Sequence, residues 1–512
     1  MPAVLFALVA LVVLACSGLA GTRPARADTP PVPIPSDPRD ASVLPFTGNP
    51  ATPRPLGNVP VPRNPFLAPG RRSSIHDDAY QSDAYARPGP LGRHPTVRST
   101  LFAAECASVT FDSHGRIVTV CPSLTGATLR MLDPTTLATI ASYRLPARRG
   151  LPSFNDFSGG GYFYLDNHDR AVVTTFTDHL LVLAERGTRF ARARDVDLNA
   201  ATGGSPVLSA LPDWAGRIWF VTRSGVVGFV TRHDRIRAHH LPAGEQIANS
   251  FAVDESGGMF VASAHALYRF DVRHGRPAVT WRRAYDRGTR QKPGQVSQGT
   301  GTTPTLVGRA SSRGGGWIAI TDNADPRMHV LVFRRGKQGP GRRPACRQAV
   351  FPRGRGDDAN SLISVPGGLI AENNYGYAGP VRGNGLRTAD TTPGIVRIDV
   401  DLRHGGCHVA WRNRTVRVPT AVSKVSLSDG LLYTYTHPTA DQVRYRGPGL
   451  PPLLAPDAWY FTAIDVRTGR QVWSRYTGSG LGYNNNYSPV TLGPDGSAYV
   501  GVLGGLLRIA DS

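Results

Sequence analysis

Polar groups follow apolar runs at five places in this chain: Thr177-Asp178-His179, His265, Asp322-Asn323-Ala324-Asp325, Glu372-Asn373-Asn374-Tyr375 and His437. Carboxylates, carboxamides and imidazoles are the donor set for a hard cation or a polar small molecule. Each cluster taken alone also reads as a turn, because Asp and Asn are turn residues in their own right. Recurrence favours a site, since each cluster sits where the second strand of a repeated unit ends. If the units close around an axis, Asp178, Asp322, Asn323, Glu372 and Asn373 are expected to converge on a central opening. Calcium is then the expected neutralising ion, with His179 and His437 placed for proton transfer. No G-x-S-x-G elbow, Walker loop or H-E-x-x-H is present, so the common hydrolase and nucleotide sites lack support.

The elements that must position these groups are short strands. The 512 residues include 57 Gly and 43 Pro and no long amphipathic helical run, which favours strands joined by turns. A strand–turn–strand pattern recurs as SVTFDSHGRIVTV, YFYLDNHDRAVVTTF, PVLSALPDWAGRIWFV and SFAVDESGGMFVAS. It continues as TPTLVGRASSRGGGWIAI, SLISVPGGLIAE, KVSLSDGLLYTYT and PVTLGPDGSAYVGVL. Downstream of several copies lies a second pattern, seen in YRFDVRHGRPAVTW, VRIDVDLRHGGCHVAW and FTAIDVRTGRQVW. In it an apolar strand ends at Asp271, Asp399 or Asp465, a turn contains Gly275, Gly405 or Gly469, and Trp281, Trp411 or Trp473 follows. The Asp is expected to cap the turn, the Gly to supply positive φ and the Trp to pack between sheets. Repetition on this scale predicts an all-β, eight-bladed propeller of four-stranded antiparallel blades over residues 101–512, with seven blades as the alternative. The final unit stops one strand short, so the missing strand is expected from the segment before Cys106, which would close the ring.

These Asp-turn-Gly-to-Trp copies resemble the tryptophan-docking repeats of the quinoprotein (PQQ-dependent alcohol dehydrogenase-like) β-propellers, with FTAIDVRTGRQVWSRYTGSG as the best match. The resemblance spans about three blades and implies the eight-bladed ring. It also implies an alternative activity, quinone-dependent oxidation with PQQ. The vicinal Cys-Cys pair of those dehydrogenases has no counterpart here.

The amino terminus reads as an export signal over residues 1–27, with small residues at Ala25 and Ala27. A lipobox-like VLAC ending at Cys16 is the alternative and would attach the protein to a membrane by a lipid anchor. Residues 28–100 are Pro- and Arg-rich and read as a mobile linker followed by a strap around His76, Asp77, Asp78, Tyr80, Asp83 and Tyr85, with a solvated loop as the alternative. Export gives the four remaining cysteines an oxidising compartment. Cys106 and Cys121 bracket a predicted hairpin and are expected to pair, leaving Cys346 for Cys407, with four free thiols as the alternative.

The net charge of +21 comes almost wholly from arginine, with lysine only at positions 292, 337 and 424. No aromatic-interleaved basic helix accompanies it, so nucleic acid is not expected as a partner. The expected partner is a small molecule or an envelope polymer, and the expected state is a monomer. Two function classes remain: an extracytoplasmic enzyme using a cation for hydrolysis or lyase chemistry in the funnel, and a non-catalytic binding or scaffold propeller. An open, carboxylate-lined funnel would favour the first, and a plugged one the second.

Overall fold

Alternation of buried residues with Gly- and Asp-bearing turns along the chain produces eight sheets among the described residues of the computed structural model, antiparallel but for one short added strand. The structure describes residues 30–36, 43–70, 72–148, 156–310, 315–339, 341, 343–377, 379–380, 391–401, 404, 406–439, 441–442 and 458–512. The expected export signal over 1–27 and the lipobox at Cys16 lie outside them. No helix among the described residues is long and apolar enough to cross a membrane.

Blades 1 to 7 occupy residues 108–144, 164–197, 207–240, 252–284, 305–349, 363–413 and 424–479, each running from an inner to an outer strand. Blade 8 takes its three inner strands from 490–510 and its outer strand from Thr96–Leu101. That strand pairs antiparallel with Gly505–Ala510, from Thr96 opposite Ala510 to Leu101 opposite Gly505. The ring is therefore closed by both ends of the chain, which leaves no open edge at the last blade. The protein is an eight-bladed β-propeller.

The inner hairpins of blades 1 to 4 share one turn. Asp112, Asp166, Asp213 and Asp254 each accept, on Oδ1, the backbone N–H groups two and four residues ahead. In blades 1 to 3 the other oxygen is taken by the arginine four residues on: Arg116, Arg170 and Arg217. The Asp-x-x-x-Arg spacing is thus a self-contained turn lock in a charge-rich chain.

The third-to-fourth-strand hairpins are less uniform than expected. Asp465 caps its turn as predicted, accepting from the Arg467 and Thr468 amides, and Asp133 does the same with Thr135 and Thr136. Asp271 and Asp399 instead pair with Arg269 and Arg397, two residues earlier on the same face of the strand. Two of the three repeat tryptophans join neighbouring blades. Trp411 of blade 6 donates from Nε1 to the Val466 carbonyl of blade 7 at 2.8 Å, and its ring covers Gly469, where a Cβ would lie 2.3 Å from it. Trp281 of blade 4 reaches the Gly336 carbonyl of blade 5 at 3.0 Å. Glycine at 469 is needed both for its φ of +71° and for this close approach.

Both disulfides form as paired in the sequence: Cys106–Cys121 within blade 1 and Cys346–Cys407 between the outer strands of blades 5 and 6. The segment read as a mobile linker is packed where it is described, with Ile34, Val43, Ala51 and Val59 all buried. Phe46–Gly48 adds a strand outside blade 7, and Ala84–Tyr85 adds a short parallel one inside it, making that sheet six-stranded.

Candidate functional site

Closing eight blades into a ring aims the inner strands at one axis, and that axis is occupied by the chain itself. Residues 73–85 run past the inner strands and bond to their backbones in turn. Ser73 O accepts from Leu165 of blade 2, Ala79 O from Val253 of blade 4 and Tyr80 O from Leu306 of blade 5. Ser82 O then accepts from Ser364 of blade 6, and Asp83 O and Tyr85 O from Val425 and Leu427 of blade 7. Every residue from Ser73 to Tyr85 is buried. The positive φ of Asp77 (74°), Gln81 (57°) and Asp83 (54°) lets the segment fold back repeatedly, and Asp is among the residues that adopt this conformation most readily.

The side chains of this plug converge on blade 7. Lys424, with no solvent exposure, donates to the Asp83 carboxylate and the Ile75 carbonyl, and its Nζ lies 3.6 Å from Asp77 Oδ1. His76 Nδ1 lies 3.1 and 3.2 Å from the two Asp83 oxygens and 2.9 Å from Ser361 Oγ. Ser361 also donates to Asp83 Oδ2. These residue types match a Ser-His-Asp triad, but the geometry does not. Serine and aspartate both engage Nδ1, whereas a base relay needs them on opposite ring nitrogens. Burial pushes the Asp77 carboxyl up to about 7 against the opposing pull of Lys424. For Asp83 the charges of Lys424 and His76 overcome burial and hold the carboxylate below its usual range.

Beside the plug an axial cavity of about 30 Å³ remains, bordered by His76, Glu105, Tyr162, Asn360, Tyr487 and Ser488. That is room for a water molecule or two, not for a substrate. Glu105 accepts from Ser488 Oγ at 2.7 Å and Asn486 Nδ2 at 3.2 Å, and burial pushes its carboxyl up to about 8.

The residues expected to meet in the funnel are spread over separate blades, each with local partners. Asp178 Oδ1 accepts from the Val207 amide, tying blade 2 to blade 3. His179 stands on the flank of blade 2 with Nδ1 2.7 Å from Asp195. Asp322 clasps its own hairpin, accepting the His329 amide at 2.7 Å and facing His329 Nδ1 at 2.9 Å. Asn323 donates to the Arg287 and Arg290 carbonyls, and Asn373 to that of Arg355. His437 is a core histidine. Its ring lies edge-on against Trp459 at 4.3 Å, and burial with nearby Arg417 holds its pKa down to about 3, so it stays neutral. Glu372 accepts from Ser423 Oγ through Oε1, while Oε2 is buried without a hydrogen-bond partner. Burial pushes this carboxyl up to about 8. Among the described residues, no group of three or more His, Cys, Asp or Glu side chains is placed to hold a metal ion. The expected gathering of Asp178, Asp322 and Glu372 around one calcium is therefore not formed, because turn geometry turns each carboxylate toward its own hairpin or the next blade.

The large concavities are peripheral. One of about 490 Å³ lies between blades 5 and 6 and is lined by Arg327, Phe351, Pro352, Thr392, Arg412 and Arg414, among others. The three arginines are exposed, and no carboxylate among the described residues pairs with them. Another of about 900 Å³ lies between residues 30–36 and blades 7 and 8, with Arg98, Arg475 and Tyr476 in its wall. Sequence reading missed the blade 5–6 groove because Arg327, in a loop of blade 5, is far in sequence from Arg412 and Arg414 at the end of the outer strand of blade 6. It also passed over Lys424, for which a signal existed: one of three lysines in a chain otherwise committed to arginine.

No family model matches the chain. An uncharacterised protein of Archaeoglobus fulgidus is 26% identical over 348 residues, covering 62% of this chain and 63% of its own length. The chain thus spans under two thirds of that relative. Among solved structures, BamB from Moraxella catarrhalis superposes with a TM-score of 0.45 at 12% identity, over 78% of this chain and 95% of that one. A streptogramin B lyase gives a TM-score of 0.36 at 11% identity, over 66% and 89%. These are likenesses of fold.

Proposed function

We propose that the protein is a non-catalytic, extracytoplasmic binding propeller that holds an anionic envelope polymer on its rim. The observation that carries this reading is the plug: residues 73–85 fill the axis and leave about 30 Å³, too little for substrate chemistry. The open concavities are peripheral, and the one between blades 5 and 6 presents Arg327, Arg412 and Arg414 beside Phe351. Guanidinium groups with no carboxylate partner among the described residues, set around a partly apolar floor, suit a polymer bearing phosphate or carboxylate groups. The two disulfides support an oxidising compartment, and the net charge of +21 favours encounter with a polyanion. The test is titration of the purified protein with long-chain polyphosphate by calorimetry at low and high salt. Saturable binding that weakens with salt and with loss of the three arginines supports the reading. Binding indifferent to all three overturns it.

A further inference from the structure

Arginine outnumbers lysine 55 to 3 in this chain, yet a lysine stands at the point where the plug meets the body. Arginine would supply the same charge with more hydrogen bonds; what lysine adds is a primary amine that can act as a nucleophile. The surroundings of Lys424 suit that use. Its ammonium touches the Asp83 carboxylate on the Oδ1 side, and neither side chain has any exposure. The other oxygen, Oδ2, accepts from Ser361 Oγ, and His76 Nδ1 straddles the carboxylate at 3.1 Å from Oδ1 and 3.2 Å from Oδ2. A second carboxyl, Asp77, is buried with its Oδ1 3.6 Å from Nζ.

We propose that Lys424 and Asp83 are joined by an intramolecular amide bond that covalently staples the axial plug to blade 7. Once one proton has passed from the ammonium through Asp77 to Asp83 Oδ1, the Nζ lone pair attacks Asp83 Cγ, so an Nζ–Cγ bond forms and the Cγ–Oδ1 bond breaks. Oδ2 remains as the amide oxygen, held by Ser361 and His76, which stabilise the charge it carries during attack. The ammonium gives up two protons, and the departing Oδ1 takes both and leaves as water. Asp77 relays them from nitrogen to oxygen, a role that a carboxyl raised toward neutrality by burial can fill. The step is a condensation within one chain, with no change of oxidation state and no co-reactant. Holding the two groups in contact without solvent supplies the driving proximity.

Mass spectrometry of the purified protein, reduced, alkylated and digested with trypsin, tests this directly. Cleavage is blocked at an acylated lysine and before Pro88, so the expected product is a branched species joining residues 73–93 to 418–444, lighter than their sum by one water. Recovery of the strap peptide and of a peptide ending at Lys424 only as separate linear species overturns the proposal. In Lys424→Arg the charge is kept and the branch should vanish. In Asp77→Asn, formation should slow by about a hundredfold or more, and an unchanged rate overturns the relay. The wild-type digest decides the bond even if either variant fails to fold.

Discussion

Arg335 of blade 5 donates to Asp254 of blade 4 at 3.0 Å, and neither side chain is exposed to solvent. In blades 1 to 3 the corresponding carboxylate oxygen is taken by the arginine four residues on, but in blade 4 that position is Gly258. The oxygen left over becomes the socket for a neighbouring blade. Arg335 also donates to the Tyr80 hydroxyl at 2.6 Å and lies 4.5 Å from the centre of that ring, so one guanidinium links two blades and the axial plug. Tyr80 in turn hydrogen-bonds Glu255.

Arg335→Met should therefore be among the most damaging single changes. Removing one partner leaves Asp254 with an uncompensated buried charge, and the expected loss is about 3–5 kcal/mol. Urea unfolding followed by tryptophan fluorescence measures it. A midpoint within error of wild type would show that the clamp contributes nothing.

Glu372 predicts a pH dependence. Its carboxyl is raised in the folded state to about 8 from an ordinary value of 4.5. Between those values the folded protein holds a proton that the unfolded chain has lost, so stability falls as pH rises through this window and levels off above it. Glu372→Gln stays neutral and keeps a group that can accept from Ser423. The variant should gain melting temperature relative to wild type from pH 5 to 8, with no further gain beyond. Parallel profiles over that range would contradict the assignment.

The Cys346–Cys407 bridge closes a sequence separation of 61 residues and ties the outer strands of blades 5 and 6. Chain entropy puts its contribution at about 4 kcal/mol. Cys346→Ser together with Cys407→Ser should lower the unfolding midpoint accordingly and leave the Cys106–Cys121 pair oxidised. Thiol titration in denaturant without reductant should find no free thiol among these four cysteines in the wild type.

Replacing Arg327, Arg412 and Arg414 together by Gln should leave stability within about 0.5 kcal/mol, because the three are exposed and none pairs with a carboxylate among the described residues. Polyphosphate affinity should fall by about tenfold or more at low salt, with a smaller difference at high salt. Calorimetry on both proteins reads the change.

Deleting residues 30–101 removes both the plug and the outer strand of blade 8. The backbone of Gly505–Ala510 then becomes an open edge beside an unfilled axis, and an open edge of this kind recruits other chains. The truncated protein should appear in the insoluble fraction, whereas loss of residues 1–29 alone should leave it soluble.

Strand periodicity, the Asp- and Gly-bearing turns and the spacing of the four cysteines determine the propeller, its eight blades, its closure by an N-terminal strand and both disulfides. These are legible because each depends on contacts near in sequence or on a pattern repeated many times: Asp112 and Arg116 lock a turn with three residues between them. The axis is different. Asp322 and Glu372 do lie at strand ends, but whether a strand-end carboxylate faces the channel or folds back on its own hairpin depends on a single turn's dihedrals, which residue type leaves open. The contacts that fill the channel join Asp83 to Lys424 across 341 residues and His76 to Ser361 across 285. No local pattern encodes such pairs. Only ring closure, which aims distant inner strands at one line, brings them together.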